Sequence, residues 1–173
     1  PELPLSAARN AVADAATGDM LVFVDVDCIP APDFISGYLD RMADRRGLFM
    51  GEVMYLPQGG TDGGLDFDRF ADIAVKHSDR QGPPASGVAA CADYRCFWSL
   101  NFAMWRQDWL DGPRFDESFS GYGGEDTDFG RAWSDGGAPI WWIAGGRVYH
   151  QYHPHCMPPV HHLHSVLRNT EVF

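Results

Sequence analysis

The sequence is short of positive charge: 13 Lys and Arg stand against 24 Asp and Glu, a formal net charge of −11. A nucleic-acid binder would carry a basic face, so that class is disfavoured. Simple electrostatic docking on anionic lipid is disfavoured for the same reason. An acidic chain still admits an anionic substrate where a metal ion supplies positive charge locally. No apolar stretch reaches the length of a membrane span and no signal peptide is visible, so the chain reads as soluble. Low-complexity runs and internal repeats are absent. The four cysteines, Cys28, Cys91, Cys96 and Cys156, lack the C-x-x-C spacing of a zinc site. Cys28 lies in or beside an apolar run and reads as a core thiol. Pairing of Cys91 with Cys96 is the less favoured reading in a chain without a secretion signal.

What is present is enough for one domain, 1–173, with a real core: 173 residues of which 45% are hydrophobic. The most informative stretch is Leu21-Val22-Phe23-Val24-Asp25-Val26-Asp27-Cys28-Ile29-Pro30. Its apolar run reads as a strand buried on both faces, ended near Pro30, which has no N–H to donate. Asp25 and Asp27 then sit at the carboxyl end of that strand, where open α/β sheets place ligands. Period-two alternation predicts both carboxylates on one side. Two neighbouring anions call for a cation, and oxygen donors suit Mn²⁺ or Mg²⁺ better than Zn²⁺. A strand-end turn with solvated aspartates is the plainer alternative.

The remaining elements alternate helix and strand, the pattern of an α/β sheet. Residues 5–17 read as a helix with Ser6 as N-cap and Gly18 as stop. Helix 33–45 follows, capped by Asp33, then a strand over 48–56 ended by Pro57. A glycine-rich loop covers 57–66, a helix about 65–77, and a second loop 78–90, the kind of long segment that is often functional. Residues 96–105 read as an aromatic-rich strand and 107–112 as a short helix.

A second stretch, Gly121-Tyr122-Gly123-Gly124-Glu125-Asp126-Thr127-Asp128, combines a tight glycine turn with acidic residues at a helix start. The helix, running to about Ser134, favours acids there through its dipole, which is a sufficient structural reason for them. A carboxylate at a helix start beside a Gly-lined cleft is also well placed as a general base. The last strand is expected over 138–150. Beyond it His150, His153, His155, His161, His162 and His164 crowd the tail, and one neutral imidazole among them would complete a metal shell. His150 stands out because, like the aspartates, it ends a strand. From Val160 onward a short helix is expected.

These motifs in this order resemble the GT-A glycosyltransferases of family 2, and specifically the C-terminal region of the beta-1,4-galactosyltransferases. Asp25-Val26-Asp27 with Cys28-Ile29-Pro30 is similar to the family's metal-binding D-x-D and following I-P. Gly121-Tyr122-Gly123-Gly124-Glu125-Asp126 is similar to its W-G-G-E-D motif, and Ala8-Arg9-Asn10 to a feature of the preceding helix. The resemblance implies a GT-A, Rossmann-like mixed sheet with flanking helices. It also implies that the chain is the later part of a catalytic domain whose N-terminal strands are missing. That would leave nucleotide-sugar binding weak and a sheet edge open to self-association.

The implied activity is metal-dependent, inverting transfer of a sugar, from a UDP-sugar by expectation, to a carbohydrate or glycoconjugate hydroxyl. The cofactor is Mn²⁺, or Mg²⁺, held by Asp27, Asp25 and His150. Arg147 stands where the galactosyltransferases carry a methionine ligand, so that contact is expected to be absent or replaced by water. Asp126 is the implied base and Glu125 holds hydroxyls. Asp25, Asp27 and Arg9 serve the donor and metal, and Tyr122, Gly123, Gly124 and Trp98 contact sugar, with Trp105 a further aromatic face. The expected location is cytoplasmic, or peripheral at the inner face of a membrane. A sugar- or metal-binding module without activity and a metal-dependent phosphoester hydrolase are the competing classes; the hydrolase would need two metals roughly 4 Å apart.

Overall fold

The computed structural model describes residues 3–78, 80–154 and 160–173. The strands are β1 (Met20–Val24), β2 (Cys28–Pro30), β3 (Leu48–Met50), β4 (Val53–Tyr55), β5 (Val88–Ala90), β6 (Asn101–Trp105), β7 (Ile140–Ile143) and β8 (Val148–His150). The helices are α1 (Leu5–Ala15), α2 (Phe34–Met42), α3 (Phe67–Ile73), α4 (Arg106–Asp111), α5 (Glu125–Asp135) and α6 (Leu163–Val172). Short 3₁₀ turns cover Tyr94–Cys96 and Val160–His162. None of the described helices is long and apolar enough to cross a membrane.

The main sheet has five strands in the order β1-β6-β3-β7-β5, with β3 and β7 parallel and the other neighbours antiparallel. A second sheet has the order β2-β8-β4. Among the described residues β1 is an edge strand. Pro30 is tolerated in β2 because β2 is likewise an edge strand, where a missing N–H breaks no central ladder.

Each of the runs 21–30, 48–56 and 138–150, which the sequence presents as one strand, is two strands in two sheets. The chain crosses from the large sheet to the small one after Val24, after Met50 and after Ile143, and the crossings converge on Asn101 and Tyr38. Asn101 pairs with Val24 across β1 and β6, and its buried amide donates to Gly146 O at 2.7 Å and Glu52 O at 3.1 Å. The Tyr38 hydroxyl donates to Asn101 Oδ1 at 2.7 Å. Glycine permits this crowding: a Cβ on Gly51 would lie 2.3 Å from Gly146 O and 2.5 Å from the Tyr38 hydroxyl oxygen. Apolar periodicity cannot register such a crossing, because both strands of each pair are largely apolar and read as one run.

The large sheet is covered on both faces. Leu21, Phe23, Phe102, Met104 and Trp142 face a core closed by Trp109 of α4 and Phe129 and Trp133 of α5. Phe49, Ala103 and Ile143 face the other side, against Phe34, Tyr38 and Met42 of α2. Each fully buried large side chain of this kind stabilises the fold by about 1.5–3 kcal/mol relative to exposure. The small sheet packs its Tyr149 on Phe70 of α3.

Several element ends differ from the sequence expectation. Pro4 stands at the N-cap position of α1, while Ser6 is buried within the helix. Helix α3 begins where Asp66 accepts the Arg69 N–H at 3.0 Å. Strand β6 starts only at Asn101, because residues 94–96 wind into a 3₁₀ turn that Asp93 caps. Within the expected loop 78–90, Val88–Ala90 pairs with β7 as β5. Cys28, Cys91 and Cys96 are free thiols; Cys156 and His155 lie outside the described residues.

Candidate active site and metal centre

Asp25 and Asp27 occupy a turn at the end of β1, not the strand itself. Asp25 N–H donates to Leu100 O at 3.1 Å, and Cys28 N–H closes the turn on Asp25 O at 3.0 Å, leaving Val26 fully exposed. The alternation rule applies only within a strand, so the two carboxylates take different partners. Asp25 meets Arg9 of α1, with Nη2 3.3 Å from its Oδ1. Asp27 meets two histidines instead.

Arg9 is the hub of the acidic half of the site. Besides Asp25, its Nη1 lies 3.7 Å from Asp126 Oδ1 and 3.8 Å from Glu125 Oε1. Helix α5 delivers both acids in its first turn, where exposed N–H groups and the dipole favour negative charge. Gly124, at the helix start, has φ +98, and a Cβ there would lie 2.8 Å from the Phe119 ring. One guanidinium among three carboxylates leaves excess negative charge. Burial pushes the Glu125 carboxyl up from its ordinary value and nearby Asp126 adds to this, while backbone N–H groups and Arg9 oppose it. Burial likewise raises Asp25, against the pull of Arg9. Asp126 Oδ2 accepts the Ser99 N–H at 3.1 Å; its Oδ1 is buried without a hydrogen-bond partner among the described residues.

The candidate metal-binding half is built by strand pairing. Cys28 stands opposite His150 in the β2–β8 register, and Gln151 N–H donates to Asp27 O at 2.8 Å, which sets Asp27 beside His150. Asp27 Oδ2 is 3.5 Å from His150 Nε2 and 3.6 Å from His153 Nε2. One donor atom from each of the three residues lies within 4.8 Å of the others. Donors sharing an ion at about 2.1 Å stand roughly 3–3.5 Å apart, so the spacing fits. Asp27 Oδ1 is buried with no hydrogen-bond partner among the described residues, a lack that a bound cation would relieve. The Tyr55 ring stacks on His150 at 4.8 Å and steadies it.

The third donor is the surprise. Arg147 is occupied elsewhere, donating through Nε to Glu52 Oε2 at 2.6 Å. His153, three residues after His150, stands in the triad instead, and Asp25 does not join it. The sequence offered His153 only as one of several tail histidines; its i, i+3 spacing from the strand-end His150 was the available signal.

Of the aromatic candidates, Tyr122 is half exposed on the glycine loop, with one ring face stacked on His162 at 4.6 Å. Gly123 and Gly124 both hold positive φ, and Gly123 O accepts the buried Asn169 amide of α6 at 2.7 Å. Trp98 lies in the turn before β6 with His77 edge-on at 5.2 Å and Arg80 over its ring. Trp105 is at the other end of β6, opposite Met20, a strand length from the acidic turn, and takes no part.

A mixed central sheet with helices on both faces and an acidic turn at a strand end is the GT-A fold of nucleotide-sugar transferases. The crystal structure of GalNAc-T7 with UDP, GalNAc and Mn²⁺ superposes on it with a TM-score of 0.59 at 20% identity, over 86% of this chain. This chain spans 30% of the length of that structure. Residues 3–84 match the family described as Glycosyl transferase family 2, a segment that includes Arg9, Asp25 and Asp27. No curated protein sequence matches the chain.

Proposed function

We propose that this chain carries the catalytic centre of a metal-dependent, inverting glycosyltransferase that moves a sugar from a nucleotide-sugar, a UDP-sugar by preference, to a carbohydrate hydroxyl. The observation that carries the reading is the Asp27/His150/His153 donor set together with an Asp126 whose Oδ1 has no hydrogen-bond partner among the described residues, Asp27 and Asp126 both lying near enough to Asp25 to act on its charge. The match of residues 3–84 to the family described as Glycosyl transferase family 2, and the UDP and Mn²⁺ in the GalNAc-T7 structure, support it. The likeness of the glycine loop to that of beta-1,4-galactosyltransferases is part of the same proposal.

Asp27, His150 and His153 would hold the ion, which when bound supplies positive charge to the leaving diphosphate. Asp126 takes the proton of the acceptor hydroxyl as that oxygen attacks the anomeric carbon from the face opposite the leaving group. Ser99 N–H fixes Oδ2 of Asp126, so Oδ1, without a hydrogen-bond partner among the described residues, is the accepting atom. A single carboxylate suffices because the diphosphate leaves without protonation, unlike the leaving group in glycoside hydrolysis. Buried Glu125 holds acceptor or donor hydroxyls, and Asp25 a ribose hydroxyl. Tyr122 offers its free face to a sugar ring.

Among the described residues one cluster brings three metal donors together, whereas a two-metal hydrolase needs a second. Release of UDP from UDP-sugars in Mn²⁺, with and without acceptor sugars, tests the reading. Acceptor-stimulated release supports transfer, acceptor-independent release indicates hydrolysis, and binding without release indicates a non-catalytic module.

A further inference from the structure

Arg80 lies in the segment between α3 and β5 and has no role in the mechanism above. Its guanidinium carbon sits 5.2 Å from the centroid of the Trp98 ring and 4.9 Å from that of Trp142. Two indole faces thus hold the planar cation in place. Its Nε and Nη2 are closed to solvent, and no described group accepts a hydrogen bond from either. The other arginines near the cleft are engaged: Arg9 by three carboxylates and Arg147 by Glu52. Among the described residues no carboxylate forms an ion pair with Arg80. Burial pushes its pKa down, and Tyr55, Tyr38 and Asp126 are the neighbours whose charge opposes that fall.

A row of rings links it to the candidate metal triad. Trp98 meets His77 at 5.2 Å, His77 meets Tyr55 at 5.4 Å, and Tyr55 stacks on His150 of the metal triad at 4.8 Å. A cavity lined by Glu52, Val53, Lys76, His77 and Trp142 opens beside it. A buried guanidinium with two idle N–H groups is costly unless an anion completes it. Its rigid fork suits the paired oxygens of a phosphate or carboxylate, which a water molecule satisfies by hydrogen bonding but not by charge.

We propose that Arg80 is an oxyanion-binding residue of the donor site, taking two oxygens of the nucleotide-sugar from the side of the cleft away from the metal triad. This rests on the glycosyltransferase reading. The oxygens belong either to the diphosphate or to an acid group on the transferred sugar.

The test is calorimetric titration of the full chain in Mn²⁺ with pyrophosphate, UDP, UDP-glucose and UDP-glucuronate, comparing wild type with Arg80→Gln and Arg80→Lys. Arg80→Gln is expected to weaken binding about tenfold or more, with partial recovery in Arg80→Lys. An equal loss for all four probes assigns the diphosphate; a loss confined to UDP-glucuronate assigns a sugar carboxylate. Mn²⁺ affinity without anion, read by electron paramagnetic resonance, is expected to be unchanged. Equal binding of every probe by wild type and Arg80→Gln overturns the inference and leaves the glycosyltransferase reading standing. Loss of Mn²⁺ binding along with the anion also overturns it, because Arg80 would then act through the fold. A wild-type chain that binds neither Mn²⁺ nor pyrophosphate overturns both.

Discussion

Asp126 accepts the backbone N–H of Ser99 through Oδ2 at 3.1 Å, while its Oδ1, 3.7 Å from Arg9 Nη1, has no hydrogen-bond partner among the described residues. One oxygen is thus held by the turn before β6 and the other is the atom that the proposed reading assigns to the acceptor's proton. Asp126→Asn keeps the shape but cannot accept a proton, so turnover should fall by roughly 10²–10⁴. Donor affinity, measured by titration, should change little. Near-normal turnover in this variant would reduce Asp126 to a helix-start residue. Glu125→Gln should be the milder change.

The donor set of one carboxylate and two imidazoles is softer than the two carboxylates and one imidazole expected from the sequence. Imidazole suits transition metals, whereas Mg²⁺ prefers oxygen and water. Mn²⁺ and Co²⁺ should therefore bind and raise the melting temperature, with Mg²⁺ much weaker. Asp27→Ala should abolish the Mn²⁺ shift and His153→Ala should reduce it, while Asp25→Ala should leave most of it. Equal stabilisation by Mg²⁺ and Mn²⁺ would argue that the histidines are not ligands.

Glu125 carries a definite pH signature. Its folded-state pKa lies above the ordinary value of 4.5 because of burial and Asp126. Between those two values the folded state holds more protons than the unfolded one, so this group lowers stability as pH rises through the window. Glu125→Gln removes the effect. The melting temperature of the variant relative to wild type should rise from acid toward neutral pH and then level off. A difference independent of pH would place the group in water.

Gly124 tests the glycine loop. Its φ of +98 disfavours any side chain, and a Cβ would press on the Phe119 ring at 2.8 Å. Gly124→Ala should destabilise the chain by about 1–3 kcal/mol in chemical unfolding. It should also depress turnover by displacing the start of α5. Gly64→Ala, with positive φ but open space around it, should cost less.

Much of this was legible because apolar runs and helix-start acids act locally. The cores of β1, β3, β6 and β7 coincide with Val-, Phe- and Trp-rich segments, and α5 begins at the acids that follow Gly124. What escaped was non-local. Leu21 to Pro30 reads as one strand because both halves are apolar, yet Asp25 turns the chain into another sheet. The same happens at Gly51 and at Gly145–Gly146, where the deciding contacts are the Asn101 amide and the Tyr38 hydroxyl from distant segments. His153 was hidden for a similar reason: its partner Asp27 is far away in sequence. Arg80 carried no local pattern at all.

The pairing of Asp27 with His150 spans nearly the whole chain. Bringing together residues about 120 positions apart is a late event in folding, since the loop-closure cost must be met before the contact forms. During synthesis the donor set does not exist until β8 has left the ribosome and paired with β2. An ion that binds there acts only on chains that have completed both sheets, and stabilises them by mass action. Metal uptake at the proposed triad would therefore be a built-in reading of folding completeness. A chain stalled or cut before residue 148 would keep Asp25 and Asp27 yet bind no better than an unstructured acidic peptide.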